Sequence, residues 1–246
     1  MFDINELQWL IVSICALMIG LNKTAIPGLA ILAVPLMAEM VPARASVGIV
    51  LPMLMFADIF AVGYYRRQAV LPYLLRIMPW TACGVILGYF ALGKVSDQQL
   101  RPIVGIIILS MLGIKYWWDR QKREEATVPK QWWFAAGIGL GAGITTMMAN
   151  AAGPLMIIYL LAMRLPKNEF IGTGAWYYLL LNWFKVPFSI NLGLITSQSL
   201  QFDLMFFPMV AIGALGGIAI LKHIPEKKFA SVVQILAVAA AVRLLF

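Results

Sequence analysis

The sequence predicts an all-α integral membrane protein made of two inverted five-element repeats, with broken or re-entrant half-helices at the midplane. Three observations predict it. Of 246 residues, 62% are hydrophobic and only 12% charged, against roughly 25% charged in soluble domains. Several apolar runs approach the ~20 residues a helix needs to cross hydrocarbon, and they do not alternate as the strands of a membrane β-barrel would. Segments of the two halves also match at a constant offset of 129 residues, the mark of an internal repeat.

Five elements make up the first half, residues 1–120. Leu7 to Leu21 is apolar and ends at the polar stretch Asn22-Lys23-Thr24, which runs on through Pro27 to Gly28. Leu29 to Met37 is too short to span comfortably as an independent helix, so the pair reads as half-length or re-entrant pieces whose broken ends meet inside protein. Ala45 to Tyr65 carries Asp58, Val70 to Leu92 follows, and Leu100 to Trp118 closes the half. Residues 121–130 read as a cytoplasmic linker.

The second half, residues 131–246, repeats the plan. Trp132 to Met148 leads to a break containing Thr145, Thr146 and Asn150, and the short Gly153 to Met163 follows it. Phe170 to Leu192, with Asn182 and Lys185, matches the third element. Leu204 to Leu221 and Phe229 to Phe246 complete the set. The repeat is clearest where Pro79-Trp-Thr-Ala-Cys-Gly84-Val-Ile-Leu-Gly88 falls opposite Pro208-Met-Val-Ala-Ile-Gly213-Ala-Leu-Gly-Gly217, and Asp97 to Leu100 opposite Glu226 to Phe229. Both copies contain GxxxG, a spacing that lets helix backbones approach closely in lipid.

The formal charge of +8 sits in short loops, where the positive-inside rule explains it without a nucleic-acid partner. Arg66-Arg67, Lys115 to Lys130, Arg164 with Lys167, and Lys222 to Lys228 are placed in the cytoplasm; the base-free stretch from Ile190 to Asp203 goes outside. Equivalent helices then run in opposite directions. The Lys94 to Arg101 connection violates the rule, since it lies outside with two bases and one acid. Trp9, Trp117, Trp118, Trp132 and Trp133 sit at helix ends as interfacial belts do.

Enzymatic readings lack their residues. Cys15 and Cys83 lie inside apolar runs as packing residues, and His223 is the only histidine, so no metal-ligand set is visible. No nucleophile with base and orienter, no Walker-type loop and no cofactor motif appears. The acidic start, Asp3 and Glu6, does not resemble a signal peptide.

Paired broken helices in inverted repeats are the pattern of secondary transporters, whose substrate sits at the repeat interface. Half-helix N-termini offer N–H donors at a positive dipole end, which suits an anion. The candidate substrate site is Asn22, Lys23, Thr24 and Gly28 of one half with Thr145, Thr146, Asn150 and Gly153 of the other. Lys23 is costly in an apolar segment unless solvated or paired; its alternative is a snorkelling surface lysine. Thr145, Thr146 and Asn150 complete an oxyanion shell or bond to their own helix. Asp58 is the candidate for proton or cation coupling, ahead of Asn182 and Lys185, unless each is hydrated near its interface.

On these residues the chain resembles the sulfite exporter TauE/SafE family of membrane permeases, over essentially its whole length. Pro27-Gly-Leu-Ala-Ile-Leu-Ala-Val-Pro35-Leu36, Ala152-Gly-Pro-Leu-Met-Ile-Ile-Tyr159, the GxxxG helices, and the loops Val95 to Leu100 and Ile224 to Phe229 carry the resemblance. The family's usual break is a run of glycines, and Asn22 to Gly28 and Asn150 to Gly153 replace it, which marks a variant subgroup. The resemblance implies export of sulfite, an organosulfonate or another small sulfur-containing anion through a plasma or inner membrane. A small anionic substrate, the lipid bilayer and a coupling proton are the expected partners, and a homo-oligomer is compatible with the sequence. A passive anion channel is the first alternative, an integral membrane enzyme or a scaffolding subunit the next.

Overall fold

The computed structural model describes residues 5–41, 43–92 and 131–225, together with Ile235. Helix α1 (Glu6–Thr24) starts at a capping box in which Asn5 and Gln8 exchange side-chain to backbone bonds of 2.9 Å. Two short or long helices follow in turn, α2 (Ala30–Met40) and α3 (Ala43–Tyr65), then the 3-10 turn Arg66–Gln68 and α4 (Leu71–Leu92). The second half contributes α5 (Trp132–Ala149), α6 (Gly153–Ala162), α7 (Lys167–Asn191) and α8 (Ser197–Leu221). The expected elements Leu100 to Trp118 and, apart from Ile235, Phe229 to Phe246, the 121–130 linker, the Lys94 to Arg101 connection and the match of Asp97 to Leu100 with Glu226 to Phe229 lie outside the described residues.

Five helices among the described residues are long and apolar enough to cross a membrane: α1, α3, α4, α5 and α8. This corrects one expectation, because α1 and α5 have 19 and 18 residues and are not half-length. Only the second member of each pair is short, α2 with 11 residues and α6 with 10. A second correction concerns α8, which begins at Ser197 instead of Leu204 because Thr196 and Ser199 form a capping box. The connection between α7 and α8 therefore shrinks to residues 192–196.

Large apolar side chains cover the outside: Leu75 is 69% exposed, Phe90 65% and Leu204 63%. So much exposed hydrocarbon is unfavourable in water and favourable against lipid. Cys83 also faces outward on α4 and is no packing residue, whereas Cys15 is buried.

Glycines seat the helices against one another. A Cβ on Gly84 would strike the Leu140 carbonyl and Gly143, and one on Gly213 would strike the Leu17 carbonyl. Gly88 meets Met147 and Gly217 meets Thr24. The α1 partners map onto the α5 partners at one constant spacing, Leu17 to Leu140, Gly20 to Gly143 and Thr24 to Met147. So α4 packs along α5 in parallel as α8 packs along α1, while α3 and α7 pack on each other in the middle.

One end of the bundle gathers the basic segments. Lys167 Nζ donates to the Leu221 and Ile224 carbonyls at 3.2 and 2.7 Å, Trp176 Nε1 donates to the Arg66 carbonyl at 3.3 Å, and Lys222 Nζ lies 5.8 Å from the Tyr64 ring centre. At the other end Tyr89 donates to Asn191 at 2.7 Å, and Leu194 packs on Gly48. Helix α3 thus ends where α7 begins.

Candidate substrate-binding site

The first break forms because Asn22 turns its side chain onto the chain that follows. Asn22 Oδ1 accepts from the amides of Gly28 at 2.8 Å and Ala30 at 3.1 Å, capping the start of α2. Gly28 has φ 113°, a conformation that glycine adopts without steric cost. Lys23, one residue on, points into the protein and its side chain is 3% exposed. Its Nζ is 2.8 Å from Asp58 Oδ1 of α3 and 4.0 Å from the centre of the Tyr178 ring. Asp58 is fully buried, and its Oδ2 accepts from Asn182 Nδ2 at 2.7 Å. Lys23 is therefore no snorkelling surface residue; a carboxylate and an aromatic face replace its water.

The second break ends α5 at Asn150, held in the left-handed region at φ 52°, which asparagine tolerates better than most residues. Asn150 straps two helices together: Nδ2 donates to the Val47 carbonyl of α3 at 3.1 Å, and Oδ1 accepts from Lys185 Nζ of α7 at 2.6 Å. Lys185 also donates to Thr146 Oγ1 at 3.1 Å and is 1% exposed. Each break is thus tied to a third helix through a lysine, from the broken helix in the first half and from the third helix in the second.

A cavity lies between the breaks. Asn22, Lys23 and Gly28 line it from the first, and Thr146, Asn150 and Gly153 from the second. Phe170, Gly174, Tyr178 and Asn182 of α7 line it as well; residues four apart share one helix face, so this stripe leads from Asp58 toward the basic end of the bundle. Met156, Ile157 and Leu160 of α6 form an apolar wall along the same course.

Two of the substrate-site candidates are not brought to the cavity. Thr24 donates to the Ala214 and Gly20 carbonyls at 2.9 and 3.2 Å, and Thr145 bonds back to Gly141 and Ala142 at 2.9 and 3.3 Å. Asp58 stands behind Lys23 rather than on the surface of the cavity. Sequence reasoning missed Tyr178 and the α7 stripe, although the i, i+4 spacing from Phe170 to Asn182 was readable. Asp58, Asn182 and Lys185 belong to one buried cluster. Among the described residues no group of three His, Cys, Asp or Glu side chains is placed to hold a metal ion.

The model of one protein family, described as sulfite exporter TauE/SafE, matches residues 12–244. No curated protein and no solved structure matches the chain.

Proposed function

The chain belongs to the sulfite exporter TauE/SafE family, and on that premise we propose that it is a secondary transporter exporting sulfite or an organosulfur anion by alternating access between two inverted repeats. Its place in a transporter family and the five long apolar helices among the described residues make it a multi-pass membrane transporter and bear out the reading against an enzyme. The observation that carries the finer proposal is the cavity whose wall comes from both breaks and holds a buried lysine, Lys23. A buried ammonium that reaches a cavity is a natural partner for an anion.

Reciprocal packing supports the inverted repeat. The pairs α1 with α8 and α5 with α4 exchange under a swap of the halves, and so do α3 with α8 and α7 with α4. The pair α3 with α7 maps onto itself, as it must if an axis runs between them. Rocking of one half against the other about that contact would expose the breaks alternately.

Asp58 supports the coupling role. It holds Lys23 while ionised, and a proton on Asp58 would release the ammonium to a substrate oxygen, so that proton and anion binding favour one another. Counterflow in proteoliposomes, with labelled sulfite, thiosulfate and methanesulfonate against each unlabelled anion, tests the proposal. Exchange of a sulfur oxyanion is the expected result, and absence of exchange for all three contradicts it.

A further inference from the structure

The two breaks are not equivalent, and the difference locates the anion within the site; this step rests on the anion reading above. At the first break the amides of Gly28 and Ala30 are already covered by Asn22, and the charge of Lys23 is met by Asp58. At the second, α6 starts with no side-chain cap, and among the described residues no acceptor faces the amides of Gly153 and Leu155. Lys185 sets the second break apart as well. An ammonium carries three donors, and two of them go to the neutral oxygens of Thr146 and Asn150. Asp58, the carboxylate of the cluster, is engaged by Lys23 and Asn182.

With its side chains ionised, the cluster of Lys23, Lys185 and Asp58 carries a net charge of +1, and Lys185 is the ammonium whose hydrogen bonds go only to neutral oxygens. An unpaired charge in a membrane interior is costly, and a bound counter-charge relieves the cost. Both acceptors of Lys185, Thr146 and Asn150, are walls of the cavity, and a Cβ on Gly153 would meet nothing within 4 Å. Lys185 is not itself a lining residue; it stands behind Thr146 and Asn150, and its charge reaches the cavity through those two walls.

We propose that the anion's seat is the second break, with Lys185 as its counter-charge and the uncapped N-terminus of α6 as its donor set. The seat takes one net negative charge: a monoanion, or a dianion accompanied by a proton on Asp58.

Calorimetry on the full chain, purified and monodisperse in detergent, tests the seat with methanesulfonate, a monoanion at any working pH, and with sulfite. Lys185→Met should weaken both at least tenfold, and Lys185→Arg should recover part of the loss because it keeps the charge. Cys83→Ala on the outer face of α4 should bind as wild type does. Gly153→Ala provides a second test that does not remove a buried charge. Its Cβ enters open space, so the protein should fold normally, and weakened binding would report that the anion occupies that space. Wild-type affinity in both Lys185→Met and Gly153→Ala overturns the seat while leaving an anion transporter; no binding of either anion by the wild type overturns the anion reading and the seat with it.

Discussion

Lys23 and Asp58 lie 2.8 Å apart in the interior, with exposures of 3% and 0%. Taking both charges out of solvent costs several kcal/mol per ion, and the pair with its Asn182 bond offsets most of that. Removing one partner is then worse than removing both. Lys23→Ala leaves Asp58 buried and unpaired and should cost about 3–5 kcal/mol, whereas Lys23→Met with Asp58→Leu should recover most of the loss. Thermal unfolding followed by tryptophan fluorescence would show this as a large drop in Tm for the single variant and a small one for the double. Equal drops would mean that water reaches the pair. The same geometry sets the coupling prediction, since Asp58→Asn keeps an acceptor for Asn182 but can no longer exchange a proton near neutral pH.

The helices pair through glycines, and the cost of enlarging one follows from what it touches. Gly84 and Gly213 face the backbone carbonyls of Leu140 and Leu17, which cannot rotate away as a side chain can. Gly84→Leu and Gly213→Leu should each destabilise by more than the about 1–3 kcal/mol usual for overpacking. Gly216→Ala should be tolerated, because nothing lies within 4 Å of its Cβ. Size-exclusion chromatography after heating separates these outcomes, and equal survival of Gly213→Leu and Gly216→Ala would contradict the interface. These contacts were legible in the sequence, since the repeated GxxxG marks close approach without knowledge of the partner. The breaks were legible too, because a lysine and a helix too short to span interrupt the apolar pattern. What could not be read was which helix answers each break. Lys185 meets Thr146 and Asn150 across 39 and 35 residues of chain, and a contact of that kind exists only after packing. Thr24 and Thr145 stay out of the cavity for the opposite reason: a local or interhelical carbonyl outcompetes it for their hydroxyls.

At the scale of the molecule, three basic segments, Arg66-Arg67, Arg164 to Lys167 and Lys222-His223, share one end of the bundle, which the positive-inside rule assigns to the cytoplasm. Single cysteines at Thr127 and Ser197, in a background lacking Cys15 and Cys83, should therefore differ in intact cells. An impermeant maleimide should label Ser197→Cys, which opens α8 at the opposite end and is exposed, and spare Thr127→Cys; the reverse would overturn the orientation. With that orientation the α7 stripe leads from the Lys23–Asp58 pair toward the cytoplasm, the side from which an exporter collects its substrate. Under the proposed function, anion movement is coupled to protons rather than passive. Proteoliposomes with an imposed proton gradient and labelled sulfite at equal concentration on both sides, clamped at zero membrane potential, test it most directly. Proton-coupled movement gives accumulation above equilibrium, abolished by a protonophore and by Asp58→Asn, while Asp58→Asn still binds the anion; a label that stays at equal concentration on the two sides despite rapid exchange rules coupling out and identifies a passive anion channel.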